Sequence, residues 1–115
     1  MRLRFDEQLE ELKKELIFMG SLCENAIAAS AKALTEGDLG LAREVPALSE
    51  RIEGKERSIE ELCLKLLLQQ QPVARDLRSI SSALKMVTDL ERIGDHAVNI
   101  AHWVIYSITG ELESE

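Results

Sequence analysis

Aromatic residues are scarce in this chain of 115 residues, at 3% of the sequence, and the apolar content is mostly Leu, Ile and Ala. That composition, with 30% charged residues, disfavours sheet and favours helix. Proline occurs twice and glycine six times, which leaves long stretches without a helix breaker. Cysteine also occurs twice, at Cys23 and Cys63, both inside apolar helical patterns where the thiol acts as a small hydrophobe. No disulfide is expected. Lysine and arginine form no block, and the formal net charge of −7 excludes a protein built to neutralise a nucleic-acid backbone. No apolar run approaches the roughly 18 residues that span a bilayer, and no apolar signal core follows Arg2. A cytoplasmic protein without a membrane span is expected. No nucleophile sits beside a base and no glycine-rich strand-to-helix turn occurs, so catalysis is not expected either.

What is present is helical periodicity. Steps of four and three connect Ile80, Leu84, Val87, Glu91, Gly94, Val98, Ala101, Ile105 and Ile108. Beside them run Ala83, Leu90, Ile93, Ala97, Ile100 and Val104, so the apolar face is too broad for a single neighbour. This helix is central. The first segment has its own repeat: Phe5, Leu9, Leu12, Leu16, Met19, Cys23, Ala26, Ser30 and Ala33. A third repeat contains Val45, Ile52, Ile59 and Leu66, with Leu48, Leu62 and Cys63 alongside.

The punctuation between these repeats sets the boundaries. Gly37 suits a left-handed helix end and Asp38 a helix cap. Pro46 predicts a kink or a broken first turn in the second helix. Pro72 fits the first position of the third helix after a Gln70-Gln71 connection, and Gly110 ends that helix before an acidic tail. The expectation is an all-α, antiparallel, up-down-up three-helix bundle forming one domain over residues 1–115. Its helices should cover about 4–35, 39–70 and 72–109.

Advancing about 100° per residue from Glu91 puts Asp95 at roughly 40°, Asn99 at roughly 80° and His102 at roughly 20°. Two carboxylates one turn apart repel when ionised, so the strip invites a cation or a basic side chain. The metal reading needs further oxygen ligands from the neighbouring helix, for which Glu53 and Glu56 are the candidates. The other reading pairs these acids with Arg92, Arg57 or Lys55. Lys55 stands where the second repeat calls for an apolar residue, between Glu53 and Glu56, and is expected to sit against carboxylates. His102 shares the strip as a borderline ligand, whereas His96 points toward solvent. Arg75, Asp76 and Arg78 open the third helix, where free N–H groups and the dipole favour anions. They serve either an anion site or a structural ion pair with Asp76 as the cap.

Gln70-Gln-Pro-Val-Ala-Arg-Asp-Leu-Arg78, followed by Leu90-Glu-Arg-Ile-Gly-Asp95 and Asn99-Ile-Ala101, resembles the PhoU family of phosphate-uptake regulators. Family members consist of two three-helix repeats. This chain matches one repeat, most like the first, and is either complete as it stands or the first repeat of a longer protein. The resemblance implies a non-enzymatic negative regulator linking the ATPase of a phosphate ABC transporter to a sensor histidine kinase. It also implies metal sites at Glu/Asp-x-x-x-Asp motifs, which would hold iron, zinc, manganese or magnesium. Glu91-x-x-x-Asp95 matches that motif, while the second helix has Ser49-x-x-x-Glu53, with serine replacing the first carboxylate. One repeat in place of two predicts a homodimer. The alternative function is metal buffering or storage by the acidic strip itself.

Overall fold

The structure is a computed structural model that describes residues 2–69 and 72–111. Its elements are α1 (Arg2–Glu36), α2 (Leu39–Leu68) and α3 (Ala74–Thr109). Each helix packs against the other two in a bundle 57 Å long. The all-α, up-down-up architecture follows from the sequence repeats, and α1 and α3 run parallel with α2 reversed between them. No helix among the described residues is long and apolar enough to cross a membrane.

The core lies where the three repeats converge. Phe5, Leu12, Met19, Cys23, Ala26, Ser30 and Ala33 of α1 are buried. They meet Val45, Ile52, Ile59, Cys63 and Leu66 of α2, and Ile80, Val87, Val98, Ala101 and Ile105 of α3. Ala and Ser at the C-terminal end of the α1 seam let its neighbours approach closely there. Ile100 and Ile108 were expected on the packed face but are 39% and 46% exposed. Ile100 sits at the outer edge of the broad apolar face, and Ile108 lies beyond Ile105, the last buried residue of α3.

The first turn behaves as its residues dictate. Gly37 takes φ +64°, and the Asp38 N–H donates to the Ala33 carbonyl at 3.1 Å, satisfying an end carbonyl of α1. Asp38 Oδ1 then accepts from the Leu41 N–H at 3.0 Å and caps α2. Gly110, with φ +76°, ends α3.

Two boundary expectations need correction. The first turn of α2 is not broken at Pro46, because Ala42, Val45 and Ser49 are buried in the bundle and their packing outweighs one missing backbone bond. α3 begins at Ala74, so Pro72 precedes the helix and does not occupy its first position. The reason is Asp76: its Oδ2 accepts the Val73 N–H at 3.3 Å, making the extended Val73 the cap residue. Valine has no side-chain oxygen to return that bond, so the capping is one-sided. The expected Gln70-Gln71 connection and the tail 112–115 lie outside the described residues.

Candidate functional site

The acidic strip of α3 faces α2. Glu91, Asp95, Asn99 and His102 line one wall of a groove of about 770 Å³, and Arg43, Pro46, Ser49, Glu50 and Glu53 line the other. Its location is set by a close helix contact. A Cβ built on the buried Gly94 would lie 3.1 Å from Ile52 Cδ1, so the bare glycine lets α3 come near α2 without displacing the Ile52 side chain. Glu53 follows Ile52 directly, while Glu91 and Asp95 flank Gly94, so this close approach carries acids from both helices.

These acids feel one another. Burial raises the Glu91 carboxyl above the ordinary glutamate value, helped by a side-chain hydrogen bond to Asp95 and by the charges of Asp95, Glu56 and Glu53. Glu56 is also raised, by burial first and then by Glu60, Glu53 and Asp95, with Arg57 partly opposing. The four carboxylates named from the sequence therefore share one electrostatic neighbourhood. Glu53 and Glu56 come from α2, Glu91 and Asp95 from α3. Among the described residues, however, no three His, Cys, Asp or Glu side chains converge on a point that could hold a metal ion. Ser49, 8% exposed, occupies the groove where a further carboxylate would complete the second motif.

Lys55 does not join this cluster. Its Nζ lies 2.8 Å from Glu15 Oε1 and 4.6 Å from the centre of the Phe18 ring, both on α1. It does meet a carboxylate, but across the α1–α2 seam and not beside Glu53 or Glu56. His102 lines the groove and His96 is exposed. Sequence reasoning missed Arg43 and Glu50. Their signal was present, because Arg43, Pro46, Glu50 and Glu53 recur at steps of three, four and three, one row beside the core seam of α2.

Arg75, Asp76 and Arg78 lie elsewhere, at the start of α3. The Asp76 side chain is 2% exposed, and Arg75 Nε stands 3.9 Å from its Oδ1. Arg75 and Arg78 border a second groove of about 440 Å³ between α1 and α3, together with Lys13. Both cysteines are free and buried, and burial raises both thiols. Cys23 Sγ donates to the Leu90 carbonyl at 3.2 Å, which makes it a packing group and not a nucleophile.

The PhoU domain model matches residues 16–104, which contain all of the acidic groove except the last lining residue, Ile105. The chain belongs to the PhoU family. A phosphate-specific transport system accessory protein PhoU homolog from Pseudomonas putida is 45% identical over 102 residues, covering 89% of this chain and 40% of that protein. Its counterpart from Clostridium acetobutylicum is 43% identical over 108 residues, covering 93% and 49% respectively. The crystal structure of PhoU from Pseudomonas aeruginosa superposes with a TM-score of 0.88 at 41% identity, covering 93% of this chain and 52% of that one. The chain thus spans about half the length of the curated relatives it matches.

Proposed function

We propose that this chain is a non-enzymatic, cytoplasmic regulator of phosphate uptake. In this reading it is an adaptor between the ATPase of a phosphate ABC transporter and the sensor histidine kinase of the starvation response, repressing that response when phosphate is plentiful. The observation that carries the reading is the match to transport-system accessory proteins at 45% identity across nearly the whole bundle. The fold suits the role, since long helices with exposed side chains offer extended docking faces. A pull-down with the purified chain should retain the transporter ATPase and the cytoplasmic part of the kinase. Retention of neither would overturn the adaptor reading.

Within this function, Glu91, Asp95, Glu53 and Glu56 take a divalent or trivalent ion of iron, zinc, manganese or magnesium. Support comes from the mutual elevation of Glu91 and Glu56, because a cation would relieve the repulsion that lifts them. The side chains as they stand share a field and not a coordination sphere, so binding would have to draw them together. Elemental analysis of the purified protein should find metal that disappears with Glu91→Gln and Asp95→Asn together. If that double variant loses metal and keeps its partners, the acidic groove serves metal storage and the adaptor role does not depend on it. We propose further that two copies of this chain pair in solution.

A further inference from the structure

We propose, resting on the adaptor reading above, that the α2–α3 face docks a basic amphipathic helix of a partner protein, held by apolar contacts at both ends and by charge across the middle. The acidic groove is the centre of a longer furrow. On α2, Pro46, Glu53, Glu60 and Leu67 recur every seven residues and drift only about 20° per step around the helix. On α3, Leu77, Leu84 and Glu91 recur in the same way, and Asp95, His102 and Tyr106 continue that row by steps of four, seven and four. Pro46, Glu53, Glu91, Asp95 and His102 line the groove, so their rows extend its walls in both directions. Because α2 and α3 are antiparallel, Leu67 and Leu77 lie at the same end, 38% and 43% exposed. Tyr106 and Trp103, each one turn beyond the groove-lining His102 and Asn99, stand at the other end, 48% and 62% exposed.

The chemistry of the furrow selects its occupant. From Leu77 to Tyr106 it runs roughly 43 Å at 1.5 Å per residue, room for about eight turns of a third helix. Trp103 and Tyr106 are the one Trp and the one Tyr of the chain, residue types that dominate binding energy at protein interfaces. Among the described residues, none of Glu53, Glu60, Glu91 and Asp95 makes an ion pair. The middle therefore takes cationic groups and the two ends take apolar ones, a combination that a basic amphipathic helix supplies along a single face. A metal ion would neutralise the middle and leave Leu67, Leu77, Trp103 and Tyr106 in water. A second copy would bring the same acids against these acids, and like charges set against each other disfavour that contact. An anionic membrane surface is repelled for the same reason.

The probe is a synthetic helix of about 29 residues, matched to the furrow, with leucines at both ends and lysines across its middle. Its binding to the 115-residue chain is read by fluorescence anisotropy in the presence of a chelator, against a peptide of the same composition in scrambled order. The patterned peptide should bind about tenfold more tightly than the scrambled one. Leu67→Ala with Leu77→Ala, and separately Trp103→Ala with Tyr106→Ala, should each weaken it about tenfold. These four sites are exposed, so far-UV circular dichroism should stay unchanged. Glu53→Gln with Glu60→Gln should weaken binding and flatten its dependence on salt. Equal binding of the two peptides, or binding indifferent to either apolar pair, would overturn the proposal. So would a dimer of the chain, seen by light scattering, that the same apolar variants dissociate, since a second copy would then occupy the face. The pull-down keeps the two readings apart. Partners retained by wild type and released by both apolar variants support the face. Partners retained equally by all three overturn the face and leave the adaptor reading standing, whereas a wild-type chain that retains neither partner overturns the adaptor reading itself.

Discussion

Replacing Glu91 with glutamine should stabilise the ion-free protein at neutral pH. In the folded chain the Glu91 carboxylate is half-buried and faces the charges of Asp95, Glu56 and Glu53, whereas in the unfolded chain water separates it from all three. A like-charged pair one helical turn apart costs about 0.2–0.5 kcal/mol. The cross-helix pairs are screened by solvent and add a few tenths each, so the whole penalty is about 0.5–1 kcal/mol. Unfolding entropy near 2.1 cal/mol/K per residue makes 1 kcal/mol worth about 4 °C in a chain of this length, so Tm should rise by about 2–4 °C. The assay is thermal melting by circular dichroism in the presence of a chelator. The sign with pH is fixed by the upward shift of Glu91. Stability from its protonated form is fully present below the ordinary glutamate value and is lost as pH rises through the elevated folded value. The melting temperatures of wild type and Glu91→Gln should therefore converge as the pH falls toward about 4. A glutamine variant that melts lower than wild type at neutral pH would falsify the account, because Glu91 would then be ionised and favourably paired.

Three further outcomes follow from the packing and the caps. Gly94→Leu should cost about 1–3 kcal/mol despite the better helix propensity of leucine, since its Cβ already meets Ile52 Cδ1 at 3.1 Å. Gly94→Ala should stay within about 1 kcal/mol of wild type, because the Ile52 terminal methyl can move aside and alanine gains propensity; urea unfolding of both variants checks the contrast. Asp38→Ala removes the acceptor for the Leu41 N–H and should lower the urea midpoint by an amount worth about 1 kcal/mol, with an unchanged m value. Ile59→Ala empties a fully buried site between the helices and should cost about 2–5 kcal/mol in the same measurement.

The three seams were legible because each helix repeats its apolar positions over about six to eight turns, which fixes the inward direction far better than any local preference. Gly37, Asp38 and Gly110 were legible for a different reason, since positive φ and a capping carboxylate are properties of single residues. At Pro46 the broken first turn did not occur: the breaker lost to the burial of Ala42, Val45 and Ser49 around it, and only tertiary packing could show that. Pro72 misled the reading by two residues, because the bond from Val73 to the Asp76 carboxylate chooses the start of α3. At the acidic groove, the helical wheel placed Glu91, Asp95, Asn99 and His102 on one strip, and that strip forms one wall. The opposite wall needed the α2–α3 register. A four- and three-step row through Arg43 and Glu50 is visible only to a reader who knows which side of α2 faces α3.

The arrangement of basic residues explains why the acidic groove keeps its repulsion. Lys55 is close in sequence to Glu53 and Glu56, yet it is drawn to α1 by the Glu15 carboxylate at 2.8 Å and by the Phe18 ring. Arg57 lowers Glu56 only partly against burial and three acids, and Arg92 lies on the exposed side of α3. The Glu91 carboxyl is therefore held above the ordinary glutamate value, by burial first and then by its hydrogen bond to Asp95 and the neighbouring acids. A proton on Glu91 and the proposed cation would compete for the same oxygens, so the proposed binding should weaken as the pH falls. The fold supplies that competition: Gly94 lets α3 approach Ile52, and the approach brings acids of two helices within reach of one another. Widening the seam at Gly94 would relax Glu91 toward its ordinary value and loosen the groove's hold on any cation by the same physical step.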